Sequence, residues 1–258
     1  MSHRIRRGLT AIQLLVVLGL LLFLGALLIP AVQKVREAAA RTQSSNNLKM
    51  IGLSIHNYNE VHKNLPPIAG KVGVAEGSIL YFLLPYLEQE KLYKRAFTDG
   101  DKANSWNIAG AVVPMFIDPQ DHTAPDNMFQ NAIATTSYAG NWHVFKDGGS
   151  SIPATFADGT SNTLVFATRY QICNNTPTAW AYSDLYTWTP MFAYYNFEKF
   201  QVAPLQDHCD PKLAQSFSWG TMVAFGDGSV RGVSRELSAQ TWHAIITPAA
   251  GDIPGADF

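Results

Sequence analysis

The sequence predicts an α+β protein: a long N-terminal helix, transmembrane in its first half and amphipathic in its second, packed on an antiparallel sheet with a loop-rich insertion. Three observations predict it. Residues 9–33 contain no charged side chain. The stretch after them keeps a helical apolar period as far as Leu65-Pro66-Pro67. Beyond those prolines the composition turns to Gly, Pro, Asn and aromatic residues, with short strand-like runs between turn dipeptides.

Composition sets the outer bounds. Apolar residues make up 47% of the 258 and aromatics 12%, enough to bury a sizeable core and to exclude overall disorder. The 19 Lys+Arg stand against 20 Asp+Glu, with no basic cluster to meet phosphates, so no nucleic-acid partner is expected.

As a helix, the uncharged stretch would be about 37 Å long, enough to cross a hydrocarbon core of about 30 Å. His3, Arg4, Arg6 and Arg7 precede it and favour a cytoplasmic head, although Lys34, Arg36 and Arg41 follow it, so charge counting specifies orientation weakly. A cleaved secretory signal, a plain anchor and an assembly helix all remain open. Against the signal, Lys34, Arg36 and Glu37 separate the apolar run from the small residues Ala38-Ala39-Ala40. Val32, Val35, Ala39, Leu48, Ile51, Ile55 and Tyr58, with Thr42 and Ser45 between, then form an apolar stripe. One helix from about Thr10 to about His62 is expected, with two helices broken at Pro30 as the alternative.

The N-terminal residues resemble type IV pilins and type II secretion pseudopilins. In those families a short basic leader ending in Gly precedes a hydrophobic helix, and prepilin peptidase cuts after that Gly. The match is Arg6-Arg7-Gly8 followed by Leu9-Thr10-Ala11-Ile12-Gln13. The resemblance implies a leader at 1–8, a transmembrane half at 9–33, an amphipathic half at 34–65 and a periplasmic or extracellular α+β domain at 66–258. It implies that Leu9 is the methylated mature N-terminus and that Pro30 is the kink proline. It also implies prepilin peptidase, other pilin-like subunits and cytoplasmic membrane lipid as partners. One departure bears on assembly: Gln13 stands where the family usually has the Glu that meets a neighbour's N-terminal amine.

The rest of the chain is similar to a large planctomycete family with a pilin-like N-terminus and a C-terminal H-X9-DG domain, the domain of unknown function 1559. The similarity runs through residues 31–39, 46–49 and 84–89, then Ser137-Tyr138-Ala139-Gly140-Asn141 and Asp158-Gly159-Thr160-Ser161-Asn162-Thr163. It continues with Cys209-Asp210-Pro211 and Gly226-Asp227-Gly228-Ser229. Phe217 stands where the family His would be, Asp118 where a Cys-Pro pair commonly begins, and Thr168 where a Glu often closes a strand. Functions depending on those side chains would be absent. The resemblance implies a non-enzymatic subunit of a secretion-type or surface filament. The alternative is a membrane-tethered module that binds a glycan or cell-surface partner without assembling.

In the globular part, Ser78 opens a helix through Tyr93 punctured by Pro85, and Asn104 to Val112 reads as a second short helix. Strands are expected at 137–139 and 163–168, and on either side of Asp227-Gly228, a hairpin turn dipeptide. Ser238 can cap a final helix through Ile246. Everything between the long helix and the last hairpin reads as an insertion on one sheet edge.

Chemistry-bearing patterns are sparse. Cys173 and Cys209 could form one disulfide or remain two buried thiols. His208-Cys209-Asp210 lacks the companion ligands of structural zinc. The Asp147, Asp158 and Asp227 turns could gather calcium ligands, but Asp-Gly is equally a turn whose positive φ suits Gly, so no cofactor is expected. No nucleophile elbow or phosphate loop is present. His56 and His62 read as solvated or capping groups on the long helix, and His122, His143 and His243 as isolated. Trp142, Trp180, Trp188, Trp219, Tyr182, Tyr186, Tyr194 and Tyr195 read as core under long loops, with stacking on sugars or a partner as the sharper alternative.

Overall fold

The computed structural model describes residues 11–98, 102–146, 148–218 and 220–258. It is an α+β fold whose first element is a single helix, α1 (Ala11–His62), with Pro30 inside it. The helix ends where Lys63 turns left-handed at φ 60 and the chain meets Pro66-Pro67, which cannot continue it. Contacts divide the chain into a unit at residues 1–41 and a compact unit at 42–258.

Within the second unit α1 buries Ser44, Leu48, Ile51, Ser54, Ile55 and Tyr58, a face that steps by three or four. The face differs from the predicted stripe at its start. Ser44 is fully covered while Thr42 is exposed and Ser45 half-buried, because the groove beneath presents a carboxylate rather than carbon.

After α1 come β1 (Ala69–Val72) and β2 (Ala75–Ser78), an antiparallel hairpin. Then follows α2 (Ile79–Leu83), capped by the Ser78 hydroxyl accepting from the Tyr81 N–H. The helix expected to run on to Tyr93 does not: Pro85 drives a 3-10 turn at Leu84–Leu87, Glu88 turns left-handed, and α3 (Glu90–Lys94) starts afresh. Next is the short β3 (Ala103–Asn104), and the helix expected at 104–112 is only a 3-10 turn, Ser105–Ile108.

The main sheet takes β4 (Tyr138–Asn141), followed directly by the single-turn α4 (Trp142–Phe145). It continues with β5 (Leu164–Thr168), β6 (Met191–Phe192), β7 (Gly220–Phe225) and β8 (Val230–Ser234), in the spatial order β6-β4-β5-β7-β8. Helix α5 (Ala239–Ile246) closes the fold, capped by Ser238 as its sequence position predicts. One expectation is corrected: the segment read as an edge insertion supplies three of the five strands. The sheet is antiparallel as expected in all its pairings but one, β6 lying parallel to β4.

Alternation sorts the two faces. Ala139, Ala167 and Val223 share a core with Trp242, Ile245 and Ile246 of α5. Tyr138, Phe166 and Ala224 join Leu48, Ile51 and Ile55 of α1 on the other face. A bulge between Ala224 and Phe225 skips Val165, which is how Val165 and Phe166 both enter the α1 core.

Candidate functional site

The leader at 1–8 and the expected processing pair Gly8 and Leu9 lie outside the described residues. Gln13 and Pro30 are exposed on α1, as are Ile12, Leu15, Phe23 and Ile29, each more than 60% accessible. This is a large apolar surface carried on one helix. Among the described residues no helix is long and apolar enough to cross a membrane. The crossing expected for residues 9–33 therefore rests on the sequence alone.

The two Asp-Gly turns meet. The Asp227 N–H donates to Thr160 O at 3.0 Å and the Gly226 N–H to Thr163 O at 2.9 Å, while Arg231 reaches Ser161 O at 2.9 Å. Gly228, at φ +77, occupies a conformation that a Cβ disfavours, and its carbonyl accepts from Lys49 Nζ of α1 at 2.6 Å. Beside it the half-buried His56 imidazole is pulled below its ordinary pKa by burial, with Asp227 opposing. The Asp158 carboxylate accepts the N–H groups of Ala250 (2.8 Å) and Gly251 (2.9 Å), clamping the chain beyond α5. Gly159, at φ +100, makes the turn behind it. Both turns therefore act as joints: one ties the β7–β8 hairpin to α1, the other ties the C-terminal segment to the turn before β5. Among the described residues no group of three His, Cys, Asp or Glu gathers as metal ligands, and Asp147 lies outside them.

These turns belong to the stretch covered by a family model described as a protein of unknown function (DUF1559), which matches residues 33–240. The chain belongs to that family. No curated protein and no solved structure matches the chain.

Of the three globular positions set apart in the sequence of this DUF1559 chain, Asp118 and Thr168 are buried and Phe217 is half-buried. Asp118 is buried, and its carboxylate accepts from the Ser44 hydroxyl of α1 and from the Gln120 N–H at 2.8 Å. Asn47 donates to Ile117 O at 3.1 Å and to the Tyr138 hydroxyl at 3.3 Å, completing a polar seat for the helix. Nearby Asp121 is buried too, accepting from Ser137, Thr123 and the Gln171 N–H. Thr168 hydrogen-bonds Gln215 O and Thr221, and Phe217 stacks on Tyr170 with centroids 5.5 Å apart.

Burial pushes the Asp118 carboxyl up to about 6, although Ser44 and Gln120 pull it down. The folded chain therefore keeps a proton that the unfolded chain loses near pH 4, so this group's contribution to stability falls as pH rises from about 4 to about 6. Asp118→Asn, which can still accept from Ser44, is expected to flatten that fall and to stabilise the protein by about 2–3 kcal/mol at pH 7. Urea unfolding of both proteins at pH 4.5 and 7.5 checks it; an unchanged difference between the two pH values would refute it.

Cys173 and Cys209 are bonded, with Cα atoms 5.6 Å apart and a sequence separation of 36. The bond sits with Tyr170 and Phe217 in a small core of its own. Just before it, Arg169 follows β5 and is fully buried. Its guanidinium donates to Thr189 O (2.8 Å), Met191 O (2.7 Å) and Thr187 O (2.6 Å). Neither the motifs nor the composition singled out Arg169.

The aromatic-rich middle separates into distinct sets. Trp180 is core, its indole N–H donating to Ala111 O at 2.9 Å. Tyr182 contacts Trp188 and Trp106, and Tyr186 stands 59% exposed. Trp219 lies outside the described residues. Trp142 gathers with Tyr194 and Tyr195, and His143 and His243, which the sequence presents as isolated, lie on either side of Phe197.

Proposed function

We propose that this DUF1559 chain is a pilin-like, non-enzymatic structural subunit of a secretion-type pseudopilus or surface filament. Residues 9–33 hold it in the cytoplasmic membrane after prepilin peptidase cuts behind Gly8, and the globular domain stands on the outer side. The observation that carries the reading is α1: one continuous helix whose exposed, apolar N-terminal part is unneeded by the fold and whose C-terminal part is a wall of the core. Such a rod can pack against copies of itself in lipid through close contacts and polar partners. The disulfide fits an oxidising compartment outside the cytoplasm.

N-terminal peptide mass spectrometry tests the processing: Leu9 is expected as the first residue. Arg41 would indicate a secretory signal, and an uncut leader a plain anchor. Assembly is tested by cross-linking through cysteines engineered into α1. Gln13→Glu is expected to raise cross-linking about tenfold, since a carboxylate can neutralise a neighbour's N-terminal ammonium where glutamine cannot. Monomers in both proteins, with the secretion machinery present, would favour a tethered binding module instead.

A further inference from the structure

The turn of α1 that first enters the domain stands on a carboxyl group. Ser44 is the first fully buried side chain among the described residues of the helix, and its hydroxyl donates to Asp118. The Tyr138 hydroxyl of β4 donates in turn to Ser44 Oγ at 3.4 Å and accepts from Asn47 at 3.3 Å. Asn47, Tyr138, Ser44 and Asp118 therefore form one line of hydrogen bonds, with the carboxyl group as its last acceptor.

No cation balances that carboxyl. Among the described residues no salt bridge reaches Asp118 or its neighbour Asp121. The titratable groups that face Asp118 are Tyr138 from β4 and Asp121 from its own loop, while α1 presents only the neutral Ser44 and Asn47. Burial and the two aspartates hold the Tyr138 phenol in its protonated form, so it stays a donor. One proton on Asp118 thus decides whether the seat is neutral or holds an unpaired buried anion, which is costly.

Water relieves such an anion, and the two sides of the seat differ in how readily they admit it. The floor is pinned. Phe116 O accepts from the Ser137 N–H at 2.8 Å and from Thr136 Oγ1 at 2.9 Å, and Asp121 accepts from Ser137 Oγ at 2.8 Å and the Gln171 N–H at 2.9 Å. These bonds fix the loop on both sides of Asp118. The helix side is the margin of a contact face, because residues 31–43 are exposed apart from half-buried Ala40. Farther along, Ile51 and Ile55 are fully buried and Lys49 holds Gly228 O at 2.6 Å. Opening at the margin breaks the fewest contacts.

We propose that Asp118 is a proton-operated catch for α1: protonated, it keeps the Ser44–Leu48 turn on the domain, and ionised, it lets that turn lift while the helix from Ile51 onwards stays seated. The compact unit, which starts at Thr42 when the catch is closed, then starts about two turns later. The catch goes beyond the filament reading and does not depend on it.

The direction with pH follows from linkage. Burial pushes the Asp118 carboxyl up to about 6 in the closed seat, whereas the hydrated carboxyl of an open seat ionises near 4. The closed form loses ground as pH rises from about 4 to about 6, and no further beyond. Lifting also uncovers Leu48, so the open form stays a minority and the measurable quantity is a ratio of openings.

Thiol labelling of the full-length chain in detergent reads that ratio, using a dithiodipyridine reagent and dividing each rate by that of a free thiol at the same pH. The native cysteines are bonded to each other and do not label. Leu48→Cys reports the turn that lifts, and Ala224→Cys, on β7 under Gly52, the part that stays. From pH 4.5 to 7.5 the corrected rate at Leu48→Cys is expected to rise about twentyfold, and that at Ala224→Cys less than about twofold. Adding Asp118→Asn should leave the Leu48→Cys rate flat over the same range. Should Leu48→Cys fail to fold, Ser45→Cys, half-buried on the same turn and nearly isosteric, is read in the same way. The proposal is overturned by a flat profile on that turn, by an equal rise at Ala224→Cys, which would mean that the whole domain loosens, or by a rise that survives Asp118→Asn.

Discussion

Arg169→Ala is expected to lower the unfolding free energy by about 3–5 kcal/mol. The guanidinium is fully buried, and burial lowers its pKa to about 9, with Asp210 opposing, so at neutral pH it remains a cation. Its partners are the carbonyls of Thr187, Thr189 and Met191, of which Thr189 O also accepts the Met191 N–H at 2.7 Å. Truncation leaves three carbonyl oxygens without that donor in a dry interior and opens a cavity the size of the side chain. Arg169→Met would fill much of the cavity without replacing the guanidinium donors, so it should fall between wild type and alanine. Urea melts of the three proteins check the order. A loss below about 1 kcal/mol for Arg169→Ala would mean that the segment finds other donors.

Removing the Cys173–Cys209 bond by paired serine substitution is expected to cost about 4 kcal/mol. This is the loop-closure entropy of a crosslink spanning 36 residues, and it corresponds to a melting temperature lower by about 10 °C. Thermal unfolding with and without reductant measures the same quantity in the unaltered chain, and coincident melts would refute it. The crosslinked loop contains Thr187, Thr189 and Met191, the segment Arg169 holds, and also Tyr195 and Phe197. The two perturbations share one structural object, so their combined effect should depart from the sum.

Features written in local chemistry were legible. The stop of α1 is spelled by Leu65-Pro66-Pro67, the cap of α5 by Ser238, and the β7–β8 hairpin by Asp227-Gly228 between two short strand-like segments. What escaped depends on distant partners. β6 is two residues long, too short for any period, and exists because Gly140 and Asn141 are beside it. Ser44 looks like a spacer in an apolar stripe until Asp118, 74 residues on, supplies its partner. Phe197 is one phenylalanine among 14, and nothing nearby in sequence announces the histidines on its two sides. The ring cluster around Phe197 is thus a product of topology rather than of a motif.

The division of α1 also fixes where this chain can be cut. The compact unit starts at Thr42, and the helix side chains buried in its core begin at Ser44 and continue through Leu48, Ile51, Ile55 and Tyr58. Proteolysis within residues 31–41, exposed apart from the half-buried Ala40, would release a fragment that retains its whole interior. A nick a few turns later would carry off one wall of that interior and expose Phe166 and Ala224 beneath it. Release of an intact globular unit by one cut is therefore confined to about three turns of helix just before Thr42.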